Sequence, residues 1–159
     1  MLGDPQRPEV RDYTVRETPE GPVASGCLAW QPKSNTRSAE GSEVEYGYRV
    51  TRPLTAVLTK LPQKQGGFRE AIALHVQPVE EETIRAWIVM AMSNEGQSDE
   101  ELRAFQDAIF AQDRPILENQ VPRRLPLAPD AEVPVASDRM SQAYRRYLAR
   151  RNLRYGVVV

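Results

Sequence analysis

At 159 residues and 40% apolar composition, the chain has enough material for one domain with a core and too little to argue for two. A formal charge of -1 and a pI near 5.9 exclude an overall attraction to nucleic acid or anionic membrane. There is no membrane-length apolar run, and Met1 to Pro5 lack the basic and hydrophobic regions of a secretory signal, so the chain reads as soluble and cytoplasmic.

The first part alternates like strands. Val10 to Glu17 and Pro22 to Trp30 flank the Pro19-Glu20-Gly21-Pro22 turn and make a hairpin. Cys27, the only cysteine, lies in the apolar setting Gly26-Cys27-Leu28-Ala29-Trp30 and reads as a small packed hydrophobe. Lys33 to Ser42 is polar and reads as a mobile loop. Val44, Tyr46, Tyr48 and Val50 then alternate with Glu43, Glu45, Gly47 and Arg49, and Leu54 to Leu61 extends the sheet past Pro53. After a turn at Gln63 to Gly67, strands are predicted over Phe68 to Val76 and Thr83 to Met92, separated by Pro78 and the Glu80-Glu81-Glu82 run. Consecutive hairpins of this kind make an antiparallel sheet.

From Ser98 the period changes. Ser98 and Glu101 form a capping box that opens a helix carrying Leu102, Phe105, Ile109, Asp113, Ile116, Leu117 and Gln120 down one side. Pro115 should bend it and free a carbonyl. A Pro-rich connector and a shorter helix from Asp138 to about Arg151 follow. The expected organisation is a single domain over residues 1–159, with strands in 1–97, the long helix in 98–121, a connector in 122–136 and the last helix and tail in 137–159. Strands followed by a long helix indicate an α+β fold, a curved antiparallel sheet gripping a long C-terminal helix.

Asp113 is a carboxylate in an apolar stripe. At about 100° per residue, Leu102, Ile109, Phe110, Ile116 and Leu117 fall within roughly 60° of it. Ionised there, it needs compensation by an arginine, by backbone donors freed around Pro115, or by a metal ion. His75, the only histidine, sits in a strand and reads as a structural residue or pocket liner. The arginines of the last helix and tail, Arg139, Arg145, Arg146, Arg150, Arg151 and Arg154, read as a solvated face, with docking to an acidic redox partner as the alternative.

The stretch Phe105-Gln106-Asp107-Ala108-Ile109-Phe110-Ala111-Gln112-Asp113-Arg114-Pro115-Ile116-Leu117-Glu118-Asn119-Gln120 resembles the last helix of the catalytic domain in Rieske-type non-haem iron oxygenases, the group related to vanillate demethylase and ring-hydroxylating enzymes. In that family an acidic residue, then Lys or Arg, then two or three apolar positions and Glu, marks the carboxylate ligand of the mononuclear iron. Asp113, Arg114 and Glu118 match it and Asp107 does not. Leu2-Gly3-Asp4-Pro5 is similar to the segment after the family's H-x-x-x-x-H iron motif, and Ser137 to Leu148 resembles its C-terminal helix.

The resemblance implies a helix-grip fold, like that of StAR-related lipid-transfer modules, incomplete at its N-terminus. It also implies a parent enzyme that uses Fe(II) and a 2Fe-2S cluster to hydroxylate or O-demethylate an aromatic substrate with dioxygen. With one Cys and one His, this chain can build neither the cluster nor the full iron site, and Asp113 is the one metal ligand it carries. The fragment is therefore expected to hold no cofactor stably and to be inactive alone. A reductase or ferredoxin and a homotrimer are the implied partners, with no nucleic acid or membrane. Candidate substrate-pocket residues are Trp30, Tyr46, Tyr48, Leu58, Leu74, His75, Ile88 and Met90 on the sheet and Phe105 and Ile109 on the helix. A non-enzymatic START-like module binding an apolar ligand is the alternative.

Overall fold

The computed structural model describes residue 6 and residues 13–31, 41–62, 69–92, 96–128 and 130–159. Leu2-Gly3-Asp4-Pro5, the start of the first expected strand and the loop from 33 to 40 lie outside the described residues. Six strands run β1 Thr14–Glu17, β2 Pro22–Gln31, β3 Ser42–Arg52, β4 Thr55–Pro62, β5 Glu70–Glu80 and β6 Thr83–Ala91. They form one antiparallel sheet in chain order, each strand paired with the next. The α+β class with an antiparallel sheet and a C-terminal helix is borne out.

Local chemistry sets the turns. Thr18 N–H donates to Gly21 O at 3.2 Å, and a Cβ on Gly21 would fall 2.5 Å from Val50 O, so only glycine lets this corner close on β3. Pro53 and Leu54 turn β3 into β4. Leu54 adopts φ 62, and its N–H donates to the Tyr144 hydroxyl at 3.3 Å, which ties the turn to the last helix. Pro78 does not end a strand, as the sequence suggested. β5 runs on to Glu80, with a register irregularity between Pro78 and Glu80 that accommodates the residue lacking a donor.

Pleating puts alternate residues on opposite faces, and directly paired residues share a face. The inner face carries Val44, Tyr46, Tyr48 and Val50 of β3, and these residues span two core clusters. One contains Ala24, Cys27, Val44 and Tyr46, and the other contains Val50, Leu127, Tyr147, Leu148 and Val157. Helix α2, Arg139–Arg150, lies against this face and buries Ala143, Tyr147 and Leu148, while Met140 packs on both clusters. The expected connector and tail also pair. β7, Leu125–Pro126, and β8, Val157–Val158, form a two-residue parallel ladder, too short to leave a periodic signal in the sequence.

The arginines of α2 are engaged as well as solvated. Arg146 Nη2 and Arg150 Nη2 reach Glu17 at 2.7 and 2.6 Å, Arg151 donates to Pro19 O at 2.8 Å, and Arg139 stacks over the Tyr13 ring at 4.6 Å. The helix is thereby tied to the first hairpin.

Helix α1, Asp99–Glu118, has the capping box read from the sequence. Ser98 Oγ accepts from Glu101 N–H at 3.2 Å, and Glu101 Oε2 accepts from Ser98 N–H at 2.8 Å. None of its residues is fully buried. Leu102, Phe105, Ile109 and Phe110 are half-buried, whereas every residue from Ala111 to Gln120 is exposed, with Ile116 at 64% and Leu117 at 59%. This corrects the expectation of a helix buried along its whole stripe. Amphipathic periodicity shows that a partner surface exists but does not say which segment supplies it, and here nothing among the described residues covers the second half. No helix among them is long and apolar enough to cross a membrane.

The two guanidinium groups that bond Glu17 hold its carboxyl below its ordinary value. That contribution to stability is present above the unfolded-state pKa and disappears as pH falls through the lowered folded-state value. Because Glu17 is about one-third exposed, Glu17→Gln should cost only about 0.5 kcal/mol at about pH 7 and progressively less as the pH is lowered through the carboxylate range, read by urea unfolding across that range.

Candidate functional site

The register sorts the expected pocket residues into two groups. Tyr48 faces Leu58, Leu58 faces Ile72, Ile72 faces Met90, and Leu74 faces Ile88, so Tyr46, Tyr48, Leu58, Leu74, Ile88 and Met90 share the inner face. Trp30 lies between inner-facing Ala29 and Gln31 and therefore points to the opposite face. His75 pairs with Thr55 and Trp87 on that same outer face, is exposed, and has Nδ1 3.4 Å from Thr55 Oγ1. The structure thus separates Trp30 and His75 from the other six strand residues. Phe105 and Ile109 lie one turn apart on the half-buried part of α1.

The inner face is apolar and aromatic at its centre. The Tyr46 and Tyr48 rings stack with centroids 6.4 Å apart, and burial pushes both hydroxyls above the ordinary tyrosine range. At neutral pH they are hydrogen-bonding phenols that can orient a planar ligand and cannot serve as ionised bases. Burial likewise raises the Cys27 thiol, which keeps it protonated and matches its reading as a packed hydrophobe.

Polar groups missed at the sequence level lie along this face at one end. Lys60 is in register with Tyr46 and with Glu70, and Lys60 Nζ lies 3.5 Å from the buried Glu70 carboxylate. Gln31 and Ser42 face each other there, 6% and 4% exposed, and among the described residues Gln31 Nε2 and Ser42 Oγ have no hydrogen-bond partner. The signal for the ion pair was in the sequence: Lys60 follows Leu58, and Glu70 precedes Ile72, at inward positions of an alternating pattern.

Asp113 sits on the exposed half of α1. Its neighbour Arg114 turns to Glu118 instead, with Nε donating to Oε1 at 2.6 Å, an interaction that raises the Arg114 pKa. Asn119 uses its N–H and side-chain amide on Pro115 O. Among the described residues Asp113 has neither an ion pair nor a hydrogen bond; it is exposed to water, so the expectation of a carboxylate inside a buried stripe that must be compensated is corrected, because the residues that were to bury it are exposed too.

The donors present do not fit a mononuclear iron by themselves. Among the described residues no group of three or more His, Cys, Asp or Glu could hold a metal ion, and the one histidine faces away from the inner surface. A single buried cysteine likewise cannot hold a 2Fe-2S cluster.

Residues 1–153 match the family described as vanillate O-demethylase oxygenase C-terminal domain. The chain is 39% identical over 158 residues to the probable methylxanthine N7-demethylase NdmC of Pseudomonas sp. (strain TJI-51), across 98% of this chain and 56% of that protein. It is 37% identical over 71 residues to methylxanthine N1-demethylase NdmA of Pseudomonas putida, across 45% of this chain and 19% of that protein. Among solved structures, the NdmA QL mutant of Pseudomonas putida CBB5 with caffeine superposes with a TM-score of 0.70 at 23% identity, over 93% of this chain and 39% of that one. The same mutant with theobromine gives 0.69. These superpositions bear on the fold, and the chain spans about half the length of the relative it matches end to end.

Glu70→Ala would leave the Lys60 ammonium in a largely buried position without its carboxylate. It should destabilise the chain by about 2 kcal/mol in urea unfolding, whereas replacing both residues together by Met and Leu should recover most of that loss.

Proposed function

The chain belongs to the family of vanillate O-demethylase oxygenase C-terminal domains, and on that footing we propose that it acts as the C-terminal part of an oxygenase catalytic domain that oxidatively demethylates a small aromatic or heteroaromatic substrate with dioxygen. The Rieske-type identity expected from Asp113, Arg114 and Glu118 accords with this membership. The similarity to a probable methylxanthine N7-demethylase along nearly the whole chain favours a methylated, planar, nitrogen-containing ring as substrate.

In this reading Asp113 is the carboxylate ligand of a mononuclear iron, and two histidines from a part of the protein outside these residues complete the site. A 2Fe-2S cluster in that other part, served by a reductase or ferredoxin, supplies electrons. The subunits assemble as a homotrimer, and the protein works in the cytoplasm. Taken alone, the 159 residues are inactive.

The observation that carries the proposal is the uncovered second half of α1. An apolar stripe with Ile116 and Leu117 more than half exposed, and an unpartnered carboxylate within it, is what remains when a complementary surface lies elsewhere in the protein. The β6 edge supports the same conclusion. It is a nine-residue strand with Ile84 59%, Trp87 54% and Val89 60% exposed, and a long apolar edge of that kind ordinarily has a cover.

Within such a protein the residues described here would bind and orient the substrate. In this reading the Tyr46 and Tyr48 rings would supply the aromatic surface, with Tyr46 packed beneath, Leu58, Leu74, Ile88 and Met90 would form an apolar wall, and Phe105 and Ile109 of α1 would close over the ring to exclude water.

In the full-length parent protein, Asp113→Ala should lose the mononuclear iron and all demethylation while keeping the cluster, and Asp113→Glu should retain part of the iron. Iron analysis with the visible and EPR spectra of the cluster reads both centres. Full retention of both in Asp113→Ala would overturn the assignment.

A further inference from the structure

A hollow of about 300 Å³ is lined mainly by outer-face residues of β2, β3 and β4, with Tyr48 also on its border. Its floor follows from the register. Val23, Arg49 and Val57 stand side by side on β2, β3 and β4, and Gly47 faces Thr59 one step along. Gly47 contributes no side chain, and a Cβ there would come within 2.8 Å of Thr59 Oγ1, so the close approach of the strands keeps the trough open. Val23, Val57 and Leu61 make it apolar. Arg49 lines one end, and Arg69 with Glu45 lines the other.

The charges here are arranged differently from those of α1, α2 and the connector between them. Arg114, Arg124, Arg145, Arg146 and Arg150 each bond a carboxylate. Arg49 and Arg69 have no ion pair among the described residues, and neither has Arg16, which stands in the same row as Val23 and Arg49. Arg16 and Arg49 therefore leave positive charge uncompensated beside an apolar trough, while Glu45 offsets Arg69 at the far end.

The geometry points to a binding site for a small monocarboxylate with an apolar body, its carboxylate held by Arg49, which stands between Val23 and Val57 with Arg16 beyond Val23, and its body seated over Gly47 and Thr59 toward Leu61. A guanidinium is planar and bonds both carboxylate oxygens at once, and the floor offers a ring or short alkyl group a dry surface. Glu45 would repel a second carboxylate placed at the other end, so the site prefers one acid group to two. The volume fits a molecule of benzoate size. Arg16, Val23, Gly47, Arg49 and Val57 are not among the residues assigned to demethylation, although Tyr48, which is, also borders the hollow, and the Arg49 substitutions below read the Arg49 end alone.

Isothermal titration of the full 159-residue chain at low salt, with benzoate as the probe, tests it. Benzoate should bind saturably with Kd on the order of 1 mM. Arg49→Ala should weaken it about three- to fivefold, as suits an exposed ion pair, and Arg49→Lys should weaken it less. Arg103→Ala, an exposed arginine of α1, should leave it unchanged, and terephthalate should bind more weakly than benzoate. No saturable binding, equal affinity in Arg49→Ala, or terephthalate binding as tightly as benzoate would each overturn the site.

Discussion

The alternation of β3 is the constraint on which the rest of the molecule turns. Val44 and Tyr46 belong to one core cluster and Val50 to the other, so a single strand threads both. Because side chains alternate with a period of two, a slip of one residue against β2 or β4 would carry all of them to the outer face and bring Glu43, Glu45 and Arg49 against α2. The pairs Tyr48 with Ala24 and Tyr48 with Leu58 are thus fixed by the cost of exposing the core. What lies inside or outside on β4, β5 and β6 follows from them by register, including the separation of His75 and Trp30 from the aromatic inner wall.

Polar groups at positions of an apolar pattern mark two kinds of place in this chain. Lys60 and Glu70 compensate each other, and that ion pair is internally complete. Asp113 has no such compensation, and it stands on a half-helix whose apolar residues are also uncovered. The first arrangement contributes to the local structure of the sheet. The second is open to water, and it is there that the proposed function would place the iron and the surface that completes its site. The chain's span of about half the length of its end-to-end relative agrees with that division.

Much of the architecture was legible because its signals are local. The hairpins announced themselves through alternation and turn residues, and α1 through the Ser98–Glu101 capping box and the change of period. The resemblance carried by Asp113, Arg114 and Glu118 pointed to the family that the comparison identifies. Less legible were features that depend on two distant segments. The β7–β8 ladder joins residues more than thirty positions apart through two residues each. Glu17 meets Arg146 and Arg150 only because α2 folds back on the first hairpin. Pro78 looked like a strand end, and an irregularity in the pairing absorbed it.

The sequence by itself determined the kinds of element, their order and the stripe in which Asp113 lies, since each depends on propensity and periodicity within a few turns or a few residues of strand. Only the tertiary structure decided which face of the sheet is inner, which helix is packed against it, and how far the burial of α1 extends. Those outcomes depend on the free energy of bringing remote surfaces together. A hydrophobic pattern states that a surface must be covered, and the three-dimensional arrangement alone shows whether, and by what, it is.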